Sequence, residues 1–158
     1  MKHLFIPSRA ILAVTALLFV ALVPASTSLA QDRVDKVSSK GFDATVKAIE
    51  TTLKKNGFMI MATIDHQNML TMVGTKIKGS KTIEFGKPEM GKMLMPMAPE
   101  AGLEMPGRFY IWERNDGKTA VGYYKPAVGF SNYGNEMITK MGEDMDEMWE
   151  MIVNEATK

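Results

Sequence analysis

The chain has 158 residues, with 19 basic and 18 acidic side chains, 15 methionines and no cysteine. Charge so evenly balanced argues against nucleic-acid or membrane-surface binding, both of which draw on a basic excess. The lack of cysteine excludes disulfides, thiol catalysis and a lipid-modified cysteine anchor.

The first thirty residues read as a secretory signal. Lys2 and Arg9 precede an uncharged run of 14 residues, Ala10 to Val23, and Ser28-Leu29-Ala30 supplies the small side chains read at a cleavage point. A membrane span needs roughly 20 apolar residues, so the run is short for an anchor. The expectation is cleavage before Gln31 and a product that is periplasmic or secreted, with no membrane contact after cleavage. Residues 31–158 then form one domain of 128 residues. Removing Lys2 and Arg9 leaves it 17 basic against 18 acidic residues, net −1. A domain of this length buries a real core without disulfides.

Arg33 to Ser39 reads as a short first strand anchored by Val34 and Val37. Phe42, Val46, Ile49 and Leu53 share one face of a helix that starts after Gly41 and stops at Asn56-Gly57. Phe58–Ile64 is apolar throughout and predicts a strand buried mostly on both sides. Asp65 is placed to cap a second helix running through Val73 to Gly74. Lys81–Phe85 alternates as a strand, and Gly86-Lys87-Pro88 turns into a third helix with Pro88 at its first position.

Pro96, Pro99 and Pro106 make the following stretch irregular. Arg108–Glu113 and Thr119–Lys125 predict a hairpin turned by Asn115-Asp116-Gly117. Gly134–Ala156 predicts a helix whose apolar stripe, Met137, Met141, Met145, Met148 and Ile152, reads as a core or dimer face. Glu143, Asp144, Asp146, Glu147 and Glu150 form its solvated acidic side. This order predicts an α+β, two-layer sandwich with helices packed on a mainly antiparallel sheet.

Several of these residues form a pattern with an ordered spacing. It runs from Asp65-His66 through Phe85-Gly86-x-Pro88, Gly91, Leu94-Met95 and Pro99, then Leu103 and Pro106 to Trp112-Glu113, Asp116-Gly117 and Tyr124. From Gly41 to about Pro126 the chain resembles the domain of unknown function 302 family. The family usually has Asn at the position of Lys87 and Thr-Pro at Lys92-Met93. The resemblance implies an α/β sandwich, often a lone domain and often a homodimer; it implies no activity.

Three functional readings stand beside one another. The first is a non-enzymatic binding or interaction domain whose small ligand is met by His66, Phe85, Gly86 and Lys87. His66 is the only histidine after the signal, and its imidazole is a hydrogen-bonding group and proton carrier. Gly86-Lys87 leads into a helix start, where free N–H groups and a positive side chain favour an anion. The plainer view of each is a local cap and an ordinary turn. The second reading is copper(I) held by Met93, Met95 and Met97 with His66, since thioethers and imidazole suit a soft cation; core packing is its plainer counterpart. The third is a small enzyme with His66 as acid or base. Against it, there is no Gly-x-Ser-x-Gly elbow, phosphate loop or dinucleotide fingerprint.

Overall fold

The computed structural model describes residues 32–158. The expected signal, 1–30, and its cleavage point lie outside the described residues. Five strands are formed: β1 (Arg33–Val37), β2 (Met59–Asp65), β3 (Ser80–Gly86), β4 (Gly107–Glu113) and β5 (Thr119–Tyr124). They make one sheet in the order β1-β5-β4-β3-β2, with every neighbouring pair antiparallel. The helices are α1 (Phe42–Lys55), α2 (His66–Met72), α3 (Pro88–Leu94), α4 (Pro126–Phe130) and α5 (Glu136–Ala156), with a 3-10 turn at Pro99–Glu104. The architecture is the expected two-layer α+β sandwich.

Helices α1 and α5 lie together on one face of the sheet. Ile49 and Leu53 of α1 meet Ile83, Phe109, Ile111 and Val121 of the sheet and Ile138 and Ile152 of α5, all fully buried. Each such side chain contributes about 1.5–3 kcal/mol relative to exposure. The β4–β5 hairpin forms as the turn residues predict, with Gly117 at φ 80° and its N–H donating to the Arg114 carbonyl at 3.1 Å. Asp65 caps α2 as predicted, its Oδ1 accepting from the Asn68 N–H at 2.8 Å.

Four local expectations are corrected. The apolar run at 58–64 is not covered on both sides. β2 is an edge strand with a bulge between Ile60 and Ala62, and Met59 and Met61 are exposed. An apolar run reads alike in the centre and at the edge of a sheet, and here two thioethers tolerate the exposure. The last helix begins at Glu136, because Asn135 Oδ1 accepts from the N–H groups of Met137 and Ile138. On that helix Met137 is exposed, Met148 is half-buried, and Trp149 takes the central inner position. Asp146 is not simply solvated, since its carboxylate accepts from the Ala127 N–H at 3.1 Å and holds the start of α4. Five residues are too few for a helical period to show, so α4 itself left no pattern to read.

Candidate functional site

The turn from β3 into α3 builds a cavity. Phe85, next to last in β3, lies inside the core, with its ring 4.5 Å from Phe109 and 5.3 Å from both Phe58 and Trp149. Pro88, at the first position of α3, turns the chain outward. The chain then continues through the 3-10 turn, which packs on α3, to β4. These segments line a cavity of about 320 Å³ walled by five methionines: Met61, Met90, Met95, Met105 and Met145. Glycines make the room. A Cβ on Gly107 would stand 2.5 Å from Trp149 Cζ2, and one on Gly86 would stand 3.2 Å from Met61 Cε.

Lys87 is the one charged residue lining this cavity. Its Nζ lies 4.4 Å from the centre of the Phe58 ring and 3.8 Å from Met148 Sδ. It forms no ion pair among the described residues. A cation over an aromatic face is held by the ring quadrupole without being neutralised. Trp149 is 5 % exposed, and its indole N–H has no hydrogen-bond partner. The cavity therefore suits an apolar body with an acceptor or negative charge at one end.

A second hollow, of about 440 Å³, lies on the sheet face that α1 and α5 leave open. His66 stands at its edge, with Nε2 2.8 Å from Thr82 Oγ1 and the ring 5.9 Å from Tyr110. Tyr110 and Trp112 stack along β4 at 5.3 Å, and the Tyr110 hydroxyl shares a 2.7 Å hydrogen bond with Ser80 Oγ.

Phe85, Gly86 and Lys87, expected to act together, do share the first cavity. His66 does not join them; it lines the second hollow, on the opposite face of the sheet. Of the three methionines among the four candidate copper ligands, Met95 alone lines the first cavity, while Met93 and Met97 are 56 % and 40 % exposed. Among the described residues no group of three or more histidine, aspartate and glutamate side chains gathers for a metal. Lys87 stands at the N-cap of the 7-residue helix α3 without a side-chain cap, and its ammonium lies against the Phe58 ring and Met148.

Sequence reasoning missed Phe58, Met61, Met145 and Trp149 as lining residues. For Trp149 a signal existed, because Ile138, Met141, Met145, Trp149 and Ile152 recur at spacings of three and four. Met61 carries no such signal, since it reaches the cavity from an edge strand.

Seven titrating groups among the described residues are displaced, and Tyr123, Asp65 and Asp146 are three of them. Burial, aided by the carboxylates of Glu150 and Asp146, pushes the Tyr123 hydroxyl up to about 12. The Asn68 backbone N–H, assisted by Lys81 3.4 Å away, holds the Asp65 carboxyl below the usual range. Burial raises Asp146 despite the Ala127 N–H it accepts.

The fold and cavities define a two-layer α+β domain with an apolar cavity under one end of its helical layer and an aromatic hollow on its bare face. The chain belongs to the family described as domain of unknown function DUF302, whose profile matches residues 34–156. It is similar in fold to the crystal structure of the uncharacterized conserved DUF302 protein from Bacillus stearothermophilus. That similarity has a TM-score of 0.73 at 16 % identity, covering 80 % of this chain and 98 % of that one. No curated protein matches the chain in sequence. The pattern residues Phe85, Gly86, Pro88, Gly91, Met95 and Pro106 all line the first cavity, and His66, Trp112 and Tyr124 line the second.

Proposed function

We propose that this is an exported binding domain whose methionine-walled cavity takes a small apolar anion, such as a medium-chain carboxylate. The observation that carries the reading is one cavity with a single charged lining residue, Lys87, whose ammonium has no carboxylate partner among the described residues. Small-ligand sites are concave, largely apolar and fixed by a few polar groups, at volumes from about 300 Å³ upward. Unbranched thioethers reshape around a flexible guest, and the Lys87 charge orients its polar end. Export is proposed from the charged start, short apolar run and small-residue exit of residues 1–30. Copper(I) on Met93, Met95, Met97 and His66 has less support, because Met95 and His66 line different cavities.

Calorimetric titration with octanoate and with 1-octanol tests the reading. Octanoate binds more tightly than the alcohol, and Lys87→Met removes that preference, lowering octanoate affinity by about ten-fold, as expected for one charge-assisted contact. Equal affinity of octanoate for wild type and the variant refutes it.

A further inference from the structure

We propose that the bare sheet face carries a second, independent ligand site, which takes a planar aromatic compound bearing a negative charge. The site does not rest on the methionine cavity, since the two share no lining residue.

The floor is made by a missing side chain. Gly122 of β5 lies directly opposite Tyr110 of β4 in the sheet register, and Trp112 and Tyr124 follow along their strands on the same face. A Cβ on Gly122 would stand 2.7 Å from Asp35 Oδ1 and 3.0 Å from Trp112 Cζ3, so the glycine keeps the hollow open. Tyr110 and Trp112 are already stacked, with 17° between their planes, and Tyr124 is 51 % exposed at the other side. The rings of Tyr110 and Tyr124, 41 % and 51 % exposed, accept a further ring by offset or edge contact at little conformational cost.

The charge of the hollow decides the ligand's sign. Arg33, Arg108 and His66 line it; Asp35, beside Gly122, is paired with Arg33, and Glu84, opposite Arg108 in the register, forms no ion pair with it. Arg33 is committed: its Nε and Nη2 donate to the two oxygens of Asp35 at 2.9 and 2.7 Å, and its guanidinium lies 5.7 Å over Trp112. Arg108 forms no ion pair or side-chain hydrogen bond among the described residues. A planar guanidinium with all its donors free is matched bidentately by a carboxylate, sulfonate or phosphate oxygen pair. Aromatic faces beside one uncommitted arginine thus select a ring carrying an anion over a neutral ring or an aliphatic acid.

The test is calorimetric titration of the described domain with 2-naphthoate, 2-naphthamide and cyclohexane carboxylate. 2-Naphthoate binds most tightly. Arg108→Gln weakens it by about ten-fold or more, erasing the preference over the amide. Tyr124→Ala weakens it by about three-fold or more, without restoring binding of the aliphatic acid. Both side chains are exposed, so circular dichroism melts of the variants match wild type, and Arg108→Lys, which keeps the charge but not the fork, recovers part of the affinity. Affinity unaffected by Arg108→Gln and Tyr124→Ala overturns the assignment. So does a sedimentation result in which wild type is a dimer that Tyr124→Ala dissociates, because a second copy then covers the face.

Discussion

Replacing Gly107 by alanine probes the contact on which the methionine cavity is built. The added Cβ falls 2.5 Å from Trp149 Cζ2 and 3.0 Å from Phe85 Cε2, where carbon atoms rest at about 3.5–4.0 Å. The indole has no easy retreat: the rings of Phe85, Phe109 and Tyr123 lie 5.3, 5.6 and 5.8 Å from it. Overpacking of this kind costs about 1–3 kcal/mol. With an unfolding entropy near 2.1 cal/mol/K per residue, a domain of this size should lose roughly 4–12 °C in Tm. Trp149→Phe removes the clashing Cζ2 together with the unpartnered N–H, so Gly107→Ala should cost less in that background. Thermal melts of the four proteins of this double-mutant cycle give a coupling of about 1 kcal/mol or more, the single costs exceeding the combined one. A Gly107→Ala melt within about 1 °C of wild type, or strictly additive costs, refutes the reasoning.

Ile111 is fully buried at the middle of β4, so Ile111→Asp places an unpaired carboxylate in the core and should leave no cooperative melt by circular dichroism. Asp65→Ala removes the oxygen that caps α2 and should cost about 1 kcal/mol in urea unfolding at pH 7. The Asp65 carboxyl is held below its unfolded-state range, so its contribution is present above that range and fades as pH falls through the folded value. The stability gap between wild type and Asp65→Ala should therefore narrow in acid, and a gap that widens contradicts the sign. Met93→Leu, Met95→Leu and Met97→Leu together should shift metal-free stability by less than about 1.5 kcal/mol, since all three side chains are substantially exposed. A cuprous titration weakened both by that triple change and by His66→Ala would restore the copper reading.

The parts of the fold legible in sequence were those with a long enough period or an unambiguous turn. The α1 face of Val46, Ile49 and Leu53, the hairpin at Asn115-Asp116-Gly117 and the Asp65 cap each follow from local spacing and local hydrogen bonding. What sequence could not show was which face each candidate would occupy. Asp65 ends β2 and His66 opens α2, while Phe85 is the penultimate residue of β3; His66 meets Thr82 on the bare face, whereas Phe85 packs into the core. Thr82 and Phe85 stand three residues apart on β3, so the pleat sends them to opposite faces, and His66 goes with Thr82. The four methionines between Met90 and Met97 form a cluster in sequence, but α3 and the turns beyond it direct Met90 and Met95 into the cavity and leave Met93 and Met97 outside. The other sulfurs of the wall come from β2, the segment before β4, and α5, and meet only through tertiary contact.

Gly107 and Gly122 seat one indole in each cavity, Trp149 beside the thioethers and Trp112 beside the tyrosines. The chain has two tryptophans in all. The molecule therefore carries a separate intrinsic fluorophore for each hollow. A Trp112→Phe protein reports by emission on the helix-covered side, and a Trp149→Phe protein on the bare sheet, so each guest can be followed separately in its own unlabelled single-tryptophan protein.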